Sequence, residues 1–260
     1  MKEPTVKEPI IVPVDQLIQE PYASVLCFPK PSEAEVQSRI QELRSHGVTA
    51  LEFSGSASLF GVKVPVLGKG FVGIVVIVHL NGERVAVKIR RVDADRADLL
   101  HEARMLSVAN SVNVAPKLIS ASKNFLVMQL IDGELLPNWL ETHKDPTVVK
   151  AVLREILEQC FRLDQAGLDH GELSKAPKHV LLDKAEKPFI VDFETASVER
   201  RVANVTAVCQ YLFGGKSTAA QILAQILGEK NMLELIGTLR AYKINKTRGN
   251  FEGLLKVCLA

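Results

Sequence analysis

The segment LGKGFVGIVVIVHLNGERVAVKI, residues 67–89, constrains the fold of this chain more than any other part of it. Three glycines and a valine form the pattern G-x-G-x-x-G-x-V: Gly68, Gly70, Gly73 and Val75. A dinucleotide-binding unit needs a helix directly after such glycines. Here a β-branched run follows instead, then Asn81-Gly82 and a second β-rich run. Asn-Gly between two such runs is a strong hairpin signal, so the glycines are predicted to bend a loop that leads into a strand.

The glycine-rich loop has two interpretations. Its glycines could form a β-bulge or an edge turn, which is a purely structural role. Alternatively, backbone N–H groups of the loop, which includes Lys69, could close over phosphate groups. The sequence VAVK on the strand after the hairpin favours the phosphate-binding interpretation.

Lys88 ends the VAVK sequence, and a lysine on a buried strand needs a partner because an isolated ammonium is costly to desolvate. Glu102, in HEARML, follows fourteen residues later and shares a helical face with Leu99 and Leu106. We therefore predict a Lys88–Glu102 ion pair that directs the lysine toward the α- and β-phosphates of a nucleotide. The alternative is that Glu102 is a surface acid paired with a neighbouring arginine.

The order of strand-like and helix-like sequence patterns along the chain predicts an α+β protein. Residues 1–53 contain six prolines before residue 32 and then SEAEVQSRIQELRSHG, a helix with Ser32 as N-cap and Gly47 as stop. We expect this part to be an N-terminal extension whose helix packs on the main body rather than reading DNA. Residues 54–131 are mostly β-rich, and residues 132–260 are mostly helical.

Composition narrows the class of protein. The net charge is +2, so no strong field indicates nucleic acid or an anionic membrane as a partner. The four cysteines are scattered without a Cys-x-x-Cys pair, which favours reduced thiols over a zinc site or a disulfide framework. The N-terminus lacks an apolar signal core, and FVGIVVIVHL is too short to span a bilayer. We expect a cytoplasmic protein without a membrane partner.

The motifs occur in the chain order of the protein kinase-like superfamily: the glycine loop, VAVK, HEARML, LVMQLIDG, HGELS and VDF, over roughly residues 64–212. The chain most resembles the small atypical archaeal-type kinases, namely the RIO kinases and the kinase subunit of the KEOPS complex. This resemblance implies a two-lobed protein kinase-like fold of the α+β class. Residues 54–131 would be the N-lobe and residues 132–260 a reduced helical C-lobe, with ATP between the lobes.

The resemblance also implies an adenine site. Met128 matches the residue at the back of the adenine pocket, and Gln129 through Ile131 match the hinge, whose backbone would bond the adenine edge. Ala86 and Leu181 match the apolar faces that enclose the ring. Each of these apolar residues could equally be plain core.

Two residues match positions that hold divalent metal in the family. Asp192, in FIVDFE, matches the metal-binding aspartate, and a carboxylate there suits Mg²⁺ or Mn²⁺ held with phosphate oxygens. His179 stands where the second metal ligand, an asparagine, is expected. Imidazole suits Mn²⁺ better than Mg²⁺. Metal ligation and structural support of the loop both remain open for His179.

The catalytic loop departs from the family pattern. Glu172, in HGELS, replaces the aspartate that accepts the proton of the attacking hydroxyl. The loop is also two residues longer, which could re-aim the longer glutamate. Glu172, Lys88 and Asp192 are thus the expected catalytic residues, whereas His170 is interpreted as a structural residue.

The resemblance leaves several functions to compare. We expect a slow ATP-dependent phosphotransferase, an atypical serine/threonine protein kinase that acts on a protein hydroxyl or on itself. The segment after Asp192 enters a helix almost at once, so no long activation loop or extended-peptide platform is expected. The alternatives are a nucleotide-binding pseudokinase regulator with a protein partner, a partner-coupled ATPase, and a small-molecule kinase resembling the aminoglycoside and choline kinases.

Overall fold

The structure is a computed structural model, and it describes residues 8–260; the first residues of the predicted extension, 1–7, lie outside the described residues. The chain forms two compact units. The first comprises the described residues up to Ala103 together with Lys117–Leu130, and the second comprises Arg104–Pro116 and Ile131–Ala260. The first unit contains a large antiparallel sheet and the second is mainly helical, which confirms the predicted α+β class. Within residues 8–260, no helix is long and apolar enough to cross a membrane.

The first unit contains nine strands: β1 (Ile10–Pro13), β2 (Val48–Phe53), β3 (Ala57–Leu59), β4 (Val62–Val66), β5 (Gly68–Lys69), β6 (Gly73–Leu80), β7 (Glu83–Arg90), β8 (Leu118–Ala121) and β9 (Phe125–Met128). Seven form one sheet in the order β1-β2-β6-β7-β9-β8, with β5 paired to β6, while β3 and β4 pair with each other. Helices α1 (Tyr22–Leu26) and α2 (Glu33–Ser45) belong to this unit, and α3 (Leu100–Ser111) begins in it.

The predicted hairpin joins β6 and β7. Leu80 pairs with Glu83 across the turn, and Asn81 and Gly82 have φ values of 52° and 82°. Positive φ at both central residues is what a type I′ turn requires, and Asn-Gly adopts it readily. The pairing continues to Gly73 and Arg90, so the turn sets the position of Lys88 in the sheet.

Residues before position 54 contribute to the same sheet. Strand β1 pairs with β2, and β2 pairs with β6, so the sequence-derived boundary at residue 53 separates strands that are hydrogen-bonded to each other. Helix α2 begins as predicted, with the Ser32 hydroxyl accepting from Glu35 N at 3.4 Å. Its apolar stripe is buried: Val36, Ile40 and Leu43.

Helix α2 is also held against the rest of the first unit by hydrogen bonds of polar side chains, which the sequence did not predict. Arg39 is fully buried, and its guanidinium donates to Leu26 O at 2.8 Å and to Asn124 Oδ1 at 3.2 Å. Glu42 accepts from Asn124 N and Nδ2, both at 2.8 Å, and from the Ser122 hydroxyl. Burial raises the pKa of Glu42, but these hydrogen bonds outweigh it and hold that pKa below its ordinary value. The helix is thereby tied to the β8–β9 turn.

The second unit contains a three-stranded antiparallel sheet and six complete helices. The strands, in sheet order, are β10 (Gly133–Leu135), β11 (Val180–Asp183) and β12 (Pro188–Ile190). The helices are α4 (Leu136–Thr142), α5 (Pro146–Gln165), α6 (Asn204–Phe213), α7 (Thr218–Leu227), α8 (Met232–Ile244) and α9 (Arg248–Cys258).

A buried carboxylate joins three of these helices. Asp164 of α5 accepts from Asn204 N at 2.9 Å and Nδ2 at 2.8 Å, and from the Tyr242 hydroxyl at 2.8 Å. Burial raises the pKa of Asp164 above its ordinary value despite these donors. Asn204 Oδ1 in turn accepts from His170 N at 2.9 Å. This chain of bonds fixes α5, α6 and α8 relative to the loop that carries Glu172.

Candidate functional site

The first group of candidate residues centres on Lys88. This residue lies on β7 between Val75 of β6 and Leu126 of β9. Its Nζ donates to both carboxylate oxygens of Glu102, at 3.0 and 2.8 Å, and the two side chains are only 7% and 6% exposed. The predicted Lys88–Glu102 ion pair therefore forms. The contact of Lys88 with phosphates stays a prediction.

Gly73 makes room for the side chain of Lys88. A Cβ atom at Gly73 would lie 2.8 Å from Lys88 Cγ and 3.0 Å from Ile89 O, which is too close for either contact. At Gly68 and Gly70 a Cβ atom would meet its nearest atom at 3.9 and 3.7 Å, which are ordinary van der Waals contacts. Of the three glycines in the loop, Gly73 is therefore the one that the packing of the first unit requires.

The loop between β5 and β6 is closed by its own backbone. Gly70 N donates to Gly73 O at 2.8 Å, and the Phe71 side chain between them is 92% exposed. Lys69 Nζ donates to Ser58 O at 2.7 Å, which directs this lysine toward β3. Val75 pairs with Gly68. The loop is thus a tight turn in the sheet, and its closing over phosphates remains a prediction.

The residues assigned to adenine binding fall in both units. Ala86 and Met128 pair directly across β7 and β9 of the first unit. Gln129 N donates to Lys117 O at 2.8 Å, so this amide is already used and a hinge bond to adenine would need another backbone group. Leu181 lies on β11 of the second unit and is partly exposed, as is Ile131.

The loop before Glu172 is held by His170 and Asp169. His170 is fully buried, and its Nε2 donates to Val191 O at 3.0 Å. Burial lowers the pKa of His170 to about 4, so the ring is neutral near pH 7. Asp169 exchanges two backbone hydrogen bonds of 2.9 Å with Ser197. These contacts agree with the structural role expected of His170.

Gly171 is a site residue that sequence reasoning did not single out. Its φ of +90° lies in the region that favours glycine, and a Cβ atom there would lie 2.5 Å from an Arg200 guanidinium nitrogen. That guanidinium is held by Asp169, with Arg200 Nε 3.0 Å from Asp169 Oδ2. The glycine in HGELS was the available signal, because glycine adopts positive φ without steric cost.

Glu172, His179 and Asp192 converge in the second unit. Each offers a ligand atom, and these atoms all lie within 4.8 Å of one another. His179 Nε2 is 3.7 Å from Glu172 Oε2, and Val191 N donates to His179 O at 3.0 Å, which joins the two segments. Asp192 follows β12 with a φ of +70°. This backbone conformation is uncommon for residues other than glycine, and such conformations cluster at functional sites.

The donor set of this carboxylate–histidine cluster fits a divalent metal. Two carboxylates and one imidazole suit Mn²⁺ and, less closely, Mg²⁺. His179 Nδ1 is buried, and within residues 8–260 it has no hydrogen-bond partner, so the ring is not fully satisfied by the protein. The structure therefore places Glu172 beside the two ligands expected from the sequence, Asp192 and His179, and the binding of metal by these residues stays a prediction.

Comparison with known proteins agrees with the motifs. A family model for the RIO domain matches residues 84–205, a span that includes Lys88 and Glu102 as well as the carboxylate–histidine cluster. The uncharacterized protein MJ1211 of Methanocaldococcus jannaschii is 31% identical over 87 residues, which cover 34% of this chain and 72% of that relative. The chain therefore belongs to the RIO-domain family of the protein kinase-like superfamily.

Proposed function

We propose that this protein is an ATP-dependent phosphotransferase, an atypical serine/threonine protein kinase that transfers the γ-phosphate of ATP to a hydroxyl of another protein or of itself. The observation that carries the proposal is the convergence of Glu172, His179 and Asp192. A protein that only binds nucleotide has no need for a carboxylate beside metal ligands, whereas transfer needs a proton acceptor there. Membership of the RIO-domain family supports the use of ATP.

The residues divide the work of this reaction. Lys88, oriented by Glu102, supplies a fixed positive charge for the α- and β-phosphates. Asp192 and His179 would hold Mg²⁺ or Mn²⁺, which when bound neutralises charge on phosphate oxygens. Glu172 accepts the proton of the acceptor hydroxyl, and the oxygen of that hydroxyl bonds to the γ-phosphorus. The bond between that phosphorus and the bridging oxygen breaks, and ADP leaves.

A second candidate function is favoured by one distance. Glu172 Oε2 lies 3.7 Å from His179 Nε2, inside the ligand set, and a carboxylate that binds metal is a weaker proton acceptor. Under this alternative, the protein is a nucleotide-binding regulator or an ATPase that acts with a regulatory protein partner.

Cellular placement and domain division complete the proposal. The four cysteines, Cys27, Cys160, Cys209 and Cys258, are buried free thiols, which is the usual state in the cytoplasm. We place the protein there, with residues 54–131 as the N-lobe, residues 132–260 as the C-lobe and residues 1–53 as an N-terminal extension.

Incubation with γ-labelled ATP, divalent metal and a mixed protein substrate tests the proposal. Label on protein supports transfer, and free phosphate alone supports the ATPase alternative. Nucleotide binding without either product supports the pseudokinase alternative. Asp192→Ala should remove the label, while Asp95→Ala, a change at an exposed aspartate of the first unit, should not.

Metal preference is a separate prediction. We expect Mn²⁺ to support labelling at least as well as Mg²⁺, because an imidazole stands in the place of an oxygen ligand. His179→Asn should shift the preference toward Mg²⁺, as measured by activity over a titration of each metal. Activity of the wild-type protein with Mg²⁺ alone would remove His179 from the coordination shell.

A further inference from the structure

A cavity of about 440 Å³ lies in the second unit beside the loop that carries Glu172. The residues on either side of Glu172 along the chain, Gly171 and Leu173, belong to its lining, and so does the next residue, Ser174. The opposite walls come from α6 and α8, including Ala207 and Leu239. We call this cavity the basic groove, after the cations described next.

Positive charge dominates the basic groove. Arg201, Arg240 and Lys243 line it, and Asp169 is the acidic residue among its lining residues. The Asp169 carboxylate is already neutralised, because it accepts from Arg200 Nε at 3.0 Å and from Ala203 N at 3.1 Å. Across the described part of the chain, neither Arg240 nor Lys243 forms an ion pair. An anionic group in the groove could therefore form ion pairs with Arg240 and Lys243 without breaking ion pairs that these two residues already make.

The groove is shaped by the way α8 packs. Leu235 and Tyr242 are the two buried residues of this helix, so most of its length faces outward. Arg201 Nη2 donates to Lys243 O at 3.1 Å, which holds the Arg201 guanidinium at the C-terminal end of α8. Ile236, at 39% exposure, adds an apolar contact to the wall. An apolar floor with a cationic rim suits a polypeptide segment with acidic side chains.

We propose that the basic groove binds an acidic segment of the protein substrate and so presents a nearby serine or threonine hydroxyl to Glu172. The inference rests on the proposed function and adds the class of substrate. Its support is the charge complementarity of Arg201, Arg240 and Lys243 together with the presence of Gly171 and Leu173, the chain neighbours of Glu172, in the lining of the groove.

Peptide binding to the full-length protein without nucleotide tests this assignment. The probes are two fluorescent peptides, one with a serine flanked by glutamates and one with the same serine flanked by lysines. Fluorescence anisotropy should show preferential binding of the glutamate peptide. The double variant Arg240→Glu/Lys243→Glu should bind it about 10-fold more weakly or worse, because two attractive contacts become repulsive. Lys256→Glu, which changes an exposed lysine of α9, is the matched control and should leave the affinity within about 2-fold.

The outcomes separate this inference from the proposed function. Equal binding of the two peptides, or an equal loss in the Arg240→Glu/Lys243→Glu and Lys256→Glu variants, overturns the groove assignment. Tighter binding of a single-stranded RNA of equal charge, lost in the same double variant, overturns it as well. Circular dichroism of each variant checks that the fold is kept. Peptide preference that survives while γ-label transfer fails keeps the groove and rejects the kinase activity instead.

Discussion

Lys88→Ala is expected to lower ATP turnover by roughly 10²-fold or more, because on the proposed function it would remove a fixed charge from the phosphates. The change also leaves Glu102 buried without its lysine, and breaking such a pair typically costs about 3–5 kcal/mol of unfolding free energy. Turnover and urea unfolding should therefore both be measured. The double variant Lys88→Met/Glu102→Gln removes both charges and should recover much of the stability without recovering turnover.

The control for Lys88 is Lys123→Ala, which changes an exposed lysine at the β8–β9 turn of the same unit. We expect this variant to turn over ATP like the wild type. Wild-type turnover by a folded Lys88→Ala protein would contradict the assignment of Lys88 to the phosphates. Recovery of turnover in Lys88→Met/Glu102→Gln would show that the single variant failed through instability alone.

Glu172→Gln is expected to lower phosphate transfer by ~10²-fold or more while ATP affinity stays nearly unchanged, since general-base assistance is of that size. The amide keeps the shape of the side chain and removes its negative charge. Glu172→Asp should not exceed the wild-type rate, because the shorter side chain would hold the carboxylate too far from the acceptor in this longer loop. Single-turnover labelling with saturating ATP measures both effects.

The position of Glu172 beside His179 requires a second measurement on the same variant. If Glu172 is the proton acceptor, Glu172→Gln leaves the metal concentration for half-maximal activity unchanged. A rise of about 10-fold or more in that concentration would make Glu172 a metal ligand. Glu199→Gln, at an exposed glutamate of the same unit, is the control. Transfer at the wild-type rate by Glu172→Gln would make this residue structural and favour the pseudokinase alternative.

Short-range signals account for what the sequence predicted. The Asn81-Gly82 turn, the N-cap of α2 at Ser32 and the ion pair of Lys88 with Glu102 all come from patterns within about 15 residues. Each rests on local geometry: a turn type, a helix cap, or a strand followed by the helix that faces it. Such constraints act before distant parts of the chain meet, so they can be recognised without knowing the fold.

Long-range packing accounts for what the sequence did not predict. Arginine is mostly exposed in folded proteins, yet Arg39 of α2 is fully buried and donates to groups as distant as Asn124. Strand β1 lies within the proline-rich stretch that suggests an extension, and its partner β2 begins only at Val48. The basic groove likewise requires three separate segments to meet. None of these three features produces a periodic or local pattern in the sequence.

The pairing of β2 with β6 has a consequence for any shortened form of the protein. A fragment that began at residue 54 would keep β5 but would turn the part of β6 that pairs with β2, residues 77–80, into a sheet edge. Its unpaired backbone groups would then be a template for association with other chains. A fragment cut to the family match at residue 84 would begin inside β7 and lose β6 altogether. The residues matched by the family model, 84–205, are therefore fewer than the residues that must fold together.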